Sequence, residues 1–166
     1  MSVRGLYPGT FDPIHNGHLD IIERATRIFD EVVVAVYDHS RANLKKVLFS
    51  IDERIQLAEE NLAHLPNVSV TRYNGMTADF ANEVGAKAIV RGLRVFSDFE
   101  FEFRMALVTQ RLAPEIEYVT LMTREENMFL SGTTLREIAS LDGDFSSMVP
   151  EGVRQALTAK YRQKNA

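Results

Sequence analysis

A chain of 166 residues, 45% hydrophobic and 25% charged, is long enough to bury a core and falls in the range of one domain, about 100 to 200 residues. Its net charge of −4 gives no general footing for nucleic acid or an anionic membrane surface, so any basic site must be local. With no cysteine, disulfides, thiolate zinc sites and cysteine nucleophiles are excluded, and the composition fits a reducing cytosol.

Residues 3–6 are a candidate first strand interrupted by Arg4 and Gly5, and they run into Pro8 and Gly9 with no room for a signal peptide's apolar segment. No run approaches the roughly 20 apolar residues of a membrane span, so the expectation is a soluble intracellular protein. Leu19, Ile22, Ala25, Ile28 and Phe29 then recur at helical spacing. Residues 32–37 are continuously apolar and rich in valine, the pattern of a parallel strand covered on both faces. After a polar loop at 38–46, Ser50 and Glu53 form a capping box, and Ile51, Ile55, Leu57, Ala58 and Leu62 continue a helix that Pro66 and Asn67 stop. A third strand is predicted at 68–72, a short helix at 77–83 ending toward Gly85, and a fourth strand at 88–90. A helix at 96–112 ends before Pro114, a fifth strand spans 117–122, and helices at 133–141 and 150–161 close the chain.

This alternation predicts right-handed crossovers and an α/β fold with a doubly wound, five-stranded parallel sheet. No repeat, low-complexity tract or linker divides residues 1–166, so a single domain is expected. Ligands in such sheets bind beyond the carboxyl ends of the strands. Five segments are predicted to converge there: the loop after the first strand, Lys45 and Lys46, residues 75–77, residues 91–94 and residues 127–133. The helix at 96–112 carries Phe96, Phe99, Phe103 and Leu107 on one stripe and Phe101, Met105, Val108 and Leu112 on a second. So much apolar circumference predicts either a fully wrapped core helix or a stripe that serves as a subunit interface.

Residues 7–18 read Tyr-Pro-Gly-Thr-Phe-Asp-Pro-Ile-His-Asn-Gly-His, bringing glycines, a hydroxyl and two histidines to a strand-to-helix junction. A helix N-terminus offers unpaired N–H groups and the positive end of its dipole to a phosphate. Prolines and glycines alone could build a turn there, and one histidine could be a cap. Two imidazoles three residues apart can face one helical turn and donate to one anionic group. A zinc site lacks its third ligand in this spacing.

Arg91 and Arg94 flank Gly92 and Leu93 just after the fourth strand, where two fixed guanidinium forks could clamp phosphates. Ser131, Gly132, Thr133 and Thr134 precede Leu135, Arg136 and Glu137 at a helix start, a second candidate anion site or a plain N-cap. Glu102 reads either as a surface acid or as an adenosine ligand.

With the 7–18 loop, Arg91-Gly92-Leu93-Arg94, Asp98-Phe99-Glu100-Phe101-Glu102 and Ser131-Gly132-Thr133 in view, the chain closely resembles the bacterial phosphopantetheine adenylyltransferases over nearly its whole length. The resemblance implies a Rossmann-like nucleotidyltransferase fold that joins ATP and 4′-phosphopantetheine into dephospho-coenzyme A and pyrophosphate. It further implies magnesium carried on the ATP phosphates with no protein side-chain ligand, a cytoplasmic homohexamer, coenzyme A as a possible inhibitor, and no nucleic-acid or membrane partner.

Carried over by motif, the resemblance implies that Thr10 contacts both substrates and that Thr10, Lys45, Thr77 and Arg91 hold the phosphopantetheine. On the nucleotide side it implies Thr10, Phe11, His18, Gly92, Leu93, Arg94, Glu102, Asn127, Met128, Phe129, Leu130, Ser131, Gly132 and Thr133. His18, Thr10, Lys45 and Arg94 are the implied catalytic group. Lys45 rather than Lys46 is a choice of alignment. The chain departs from the family pattern at His15, where Thr is frequent, at Val47, where Pro is common, and at Gly132, where Ser is usual. Such chemistry needs no general base, because a phosphate monoester with second pKa near about 6 is already largely dianionic at neutral pH. His18 is expected to donate to an α-phosphate oxygen, Lys45 to bridge nucleophile and ATP, and Arg94 with magnesium to neutralise the β and γ phosphates. Two alternatives stay open on the residues alone: a nicotinate-mononucleotide adenylyltransferase, and a nucleotide-binding regulatory module without turnover.

Overall fold

The computed structural model describes residues 2–41 and 46–165. In chain order it forms β1 (Arg4–Gly9), α1 (Asn16–Ala25), β2 (Glu31–Tyr37), a 3₁₀ turn (His39–Arg41), α2 (Ile51–Leu62), β3 (Val68–Tyr73), α3 (Thr77–Glu83), β4 (Ala88–Leu93), α4 (Phe96–Leu112), β5 (Glu117–Met122), a second 3₁₀ turn (Glu125–Asn127), α5 (Gly132–Ser140) and α6 (Glu151–Asn165). The strands are parallel in the order β3-β2-β1-β4-β5. The chain therefore winds outward from β1 in both directions, and the switch point falls between the carboxyl ends of β1 and β4. This is the expected doubly wound sheet.

Strand β2 lies between β1 and β3, which explains its unbroken apolar run. Val32, Val34 and Val36 join one buried cluster with Ile22, Leu57 and Leu157. Val33 and Ala35 join the opposite cluster with Leu6, Tyr73 and Ile89, as the period-two alternation of a strand requires. The predicted capping box of α2 is present: Ser50 accepts from the Glu53 amide at 3.2 Å, and Glu53 accepts from the Ser50 amide at 2.8 Å.

Strand β1 differs from its predicted span, because Arg4 and Gly5 lie inside it and it continues through Pro8 and Gly9. Gly5 is there for space: a Cβ at this position would sit 2.9 Å from the Phe29 ring. Gly5→Ala is accordingly expected to destabilise the fold by about 1–3 kcal/mol through overpacking, read from urea denaturation midpoints. Strand β4 is also longer than predicted, since Arg91, Gly92 and Leu93 pair with Thr120, Leu121 and Met122 of β5. Helix α1 ends at Ala25 rather than running to Phe29, and Ile28 beyond it is exposed.

Helix α4 has its predicted span but is not the wrapped core helix that its composition allows. Its buried residues are Glu102 and Thr109, while Phe96 is 82% exposed and Phe99, Phe101, Phe103, Leu107, Val108 and Leu112 are exposed as well. The helix lies against β4 and the edge strand β5, and the face it turns inward is the polar one. Among the described residues, no helix is long and apolar enough to cross a membrane.

Candidate active site

A cavity of about 420 Å³ opens at the switch point, walled by the loop after β1, the end of β4, the start of α4 and the N-terminus of α5. Thr10, Phe11, His18, Arg91, Gly92, Arg94, Glu102, Leu130, Ser131, Gly132 and Thr133 line it. Leu93 does not, although its carbonyl accepts from the amide of the lining residue Thr123 at 2.9 Å. Asn127, Met128 and Phe129 also lie outside the lining, in and after the second 3₁₀ turn, where Phe129 is exposed. Thr77 sits at the start of α3, its hydroxyl 3.1 Å from that of Tyr73. A run of contacts joins it to the cavity: Tyr73 packs on Tyr37 at 5.1 Å and Tyr37 on His39 at 4.8 Å, and His39 Nε2 is 3.2 Å from Thr10 Oγ1. Lys45 lies outside the described residues, and its neighbour Lys46 is exposed.

His15 is the N-cap of α1 and His18 its third residue, and the two rings stack at 3.6 Å. The His15 amide donates to His18 Nδ1 at 3.3 Å. That bond leaves the proton of a neutral His18 ring on Nε2, which bonds no other group among the described residues. Burial holds His18 well below the usual histidine value, with His15, Arg91 and Arg94 adding repulsion. Burial, with Arg94, pushes His15 down to about 3.

These two rings make the fold sensitive to acid. Unfolded imidazoles bind protons below about pH 6.5, while the folded ones refuse them, so protonation pulls the chain toward the unfolded state. Stability is expected to be complete above that pH and to fall by up to about 1.4 kcal/mol per pH unit for each histidine below it. Urea midpoints at about pH 7.5 and about pH 5.5 check this, with the slope halved in His15→Thr.

The two arginines are braced rather than loose. Arg91 Nε lies 3.0 and 3.1 Å from the Glu102 oxygens, and its Nη1 donates to the Pro8 carbonyl at 2.7 Å. Tyr118 donates to the same carboxylate. Burial opposes the Arg91 charge, but its hydrogen bonds to the Glu102 carboxylate and the attraction of that negative charge outweigh burial and raise its pKa. Arg94 is gripped by Asp98 through its amide, Nε and Nη2 at 3.0–3.2 Å, and its Nη1 donates to the Leu130 carbonyl at 2.5 Å. The cavity is thus lined by fixed cations whose orientation is set before any anion arrives. Tyr7 beside them is buried, which pushes its hydroxyl up to about 12.

Asp12 is a site residue that motif reading passed over. It is buried and accepts from the amides of Leu48 and Phe49 at 2.8 and 2.9 Å. Arg136 pairs with its carboxylate at 3.3 Å and donates to its carbonyl. A Cβ at Gly132 would lie 3.0 Å from that carbonyl oxygen and 3.1 Å from Arg136, so glycine lets the start of α5 close on the loop. Ser131 caps α5 by accepting from the Thr134 amide at 3.0 Å, and the helix starts at the cavity wall with Gly132 and Thr133 in the lining, a position where N-terminal amides can hold an anion. Ser97, Asp98, Phe101, Thr123 and Arg136 complete the lining. Among the described residues no three His, Asp or Glu side chains could hold a metal ion together, and the carboxylates of Asp12, Asp98 and Glu102 are each engaged by an arginine.

The cytidylyltransferase-like family model matches residues 6–138. Phosphopantetheine adenylyltransferase of Thermomicrobium roseum is 49% identical over 98% of this chain and 97% of its own length. The enzyme of that name from Desulforamulus reducens is 50% identical over 95% of this chain and 96% of its own. The chain belongs to the phosphopantetheine adenylyltransferase family. It is an enzyme of the nucleotidyltransferase class. Among solved structures, a putative nicotinate-nucleotide adenylyltransferase from Vibrio parahaemolyticus shares the fold with a TM-score of 0.73 and 18% identity, covering 98% of this chain and 96% of that one. A lipopolysaccharide core biosynthesis protein from Thermoplasma volcanium aligns over 75% of this chain and all of its own, with a TM-score of 0.57 and 24% identity.

Proposed function

We propose that this chain transfers the adenylyl group of ATP to 4′-phosphopantetheine, forming dephospho-coenzyme A and pyrophosphate in a reversible step of coenzyme A synthesis. What carries the reading is a neutral His18, its Nε2–H available at the floor of a cavity ringed by Arg91, Arg94 and the α5 N-terminus, in a chain half identical to enzymes of that name. The acceptor's dianionic phosphate attacks the α-phosphorus of ATP, and pyrophosphate leaves. His18 Nε2 donates to the α-phosphate oxygen on which charge grows, and Thr10 reaches both substrates. Arg94 and the α5 amides receive the β and γ phosphates, while Arg91, Thr77 and Lys45 serve the acceptor. Glu102, Phe11, Gly92 and residues 130–133 shape the nucleotide side. Magnesium carried on the triphosphate would neutralise phosphate charge beside Arg94 and the α5 amides, and the remaining roles fall to the protein groups named here.

The test is pyrophosphate release from ATP with 4′-phosphopantetheine and nicotinate mononucleotide supplied separately. Turnover with phosphopantetheine is expected. Turnover only with the mononucleotide, or ATP binding without turnover on either, overturns the reading. The proposal extends to one catalytic domain in a cytoplasmic homohexamer, which coenzyme A, as a product relative, would inhibit. The exposed Phe96, Phe99, Phe103 and Leu107 of α4 support assembly, since an apolar stripe of this extent is an interface pattern. Light scattering at micromolar concentration is expected to show a particle several times the 18.8 kDa of the chain.

A further inference from the structure

We propose that Thr10 is aimed at the reacting phosphates by two residues outside its loop, Arg54 behind it and His39 beside it, which act as positioning residues for the adenylyl transfer. The inference rests on the function proposed above.

Arg54, on α2, is 1% exposed, and its side chain donates to three backbone carbonyls. Its Nη1 donates to Thr10 at 2.7 Å and to Tyr37 at 2.9 Å, and its Nε to Phe49 at 3.2 Å. One buried cation thus fastens the loop after β1 to the end of β2 and to the entrance of α2. For stability alone, such a group is a poor choice, because apolar residues of similar volume commonly replace buried charges without loss. What the guanidinium supplies is geometry.

The loop needs that geometry. Phe11, the next residue, has φ of 50°, a left-handed conformation that a non-glycine residue holds only where its surroundings over-determine it. Arg54 fixes the carbonyl before Phe11, and Arg136 fixes the carbonyl after it. The backbone from which the Thr10 side chain projects is therefore clamped on both sides.

His39 sets the remaining freedom, the rotation of the hydroxyl. Its Nε2 lies 3.2 Å from Thr10 Oγ1, and its ring stands edge-on to Tyr37 at 4.8 Å. With the proton on Nε2, the ring donates to Oγ1, and the Thr10 hydrogen remains available for a phosphoryl oxygen. The opposite tautomer would engage that hydrogen and turn it from the substrates.

Double-mutant cycles with Thr10→Val test the proposal. Wild-type turnover on phosphopantetheine is measured first and decides the function separately, so failure of the cycles is distinct from failure of that reading. His39→Phe keeps a ring against Tyr37 but no donor, and is expected to lower kcat by about tenfold; His39→Gln keeps a donor and is expected to stay within about threefold of wild type. Arg54→Lys keeps the charge but cannot span three carbonyls, and is expected to lose about tenfold or more. In the Thr10→Val background each change is expected to cost less than about twofold, the signature of action through that hydroxyl. Equal losses in both backgrounds, or a His39→Phe enzyme as active as wild type, would overturn the proposal. The His39 variants lie in a partly exposed turn and decide it even where Arg54→Lys does not fold.

Discussion

Replacing His18 with alanine lowers turnover by about 10²- to 10³-fold, the usual cost of losing one donor to a developing oxyanion. His18→Gln, which restores an N–H near the position of Nε2, recovers part of that loss. The two variants separate donation from proton abstraction, since glutamine can do the first and not the second. The pH dependence makes the same distinction. Burial holds His18 well below 6.5, so the ring stays neutral as pH falls through that value and keeps its single N–H. The acid limb of the rate therefore follows protonation of the acceptor phosphate near about pH 6, and it persists in His18→Gln. An acid limb that disappears in this variant would show that His18 itself titrates during the reaction and would remove the assigned role. Steady-state rates for three proteins across the neutral range are sufficient.

Elements whose residues are dictated by their immediate surroundings were legible from the chain. The valines of β2 announce a strand covered on both faces, and Ser50 with Glu53 marks the start of α2 through contacts three residues apart. The loop at 7–18 was readable as a strand-to-helix junction for a similar reason, because its turn residues and the start of α1 are consecutive. Contacts distant in sequence were not legible. Gly5 looked like a break because the Phe29 ring that demands it lies 24 positions away (29 − 5). Arg91 and Arg94 were read as open forks, whereas the carboxylates that hold them come from α4. Arg54 did carry a signal that was missed: it falls three residues after Ile51 and four before Ala58, on the apolar stripe of α2. Composition left α4 with two readings, a wrapped core helix or an interface stripe, and only the first is excluded by its exposed aromatics. An apolar circumference implies burial without saying by what, and in a single chain the aromatic stripes remain open.

Glu102→Ala is expected to cost about 3 kcal/mol of folding stability, the low end for stripping one partner from a buried ion pair. The low end applies because the Arg91 side chain remains 28% exposed while that of Glu102 is 7% exposed, so water recovers part of the stranded charge. Among the described residues, alanine leaves Arg91 with the Pro8 carbonyl as its remaining acceptor and takes away the acceptor of the Tyr118 hydroxyl. Glu102→Gln retains an oxygen for Arg91 but loses the charge, and should fall between alanine and wild type. The same pair tests what Glu102 does for ATP. If it acts chiefly by holding Arg91 in place, stability and turnover decline together and the KM for phosphopantetheine rises along with that for ATP, because the guanidinium faces a cavity shared by both. If it acts chiefly as an adenosine ligand, the denaturation midpoint stays at the wild-type value and only the KM for ATP rises. Three donor groups, Arg91 Nε and Nη2 and the Tyr118 hydroxyl, already engage this buried carboxylate, and this favours the first outcome, since they occupy most of its roughly four acceptor sites.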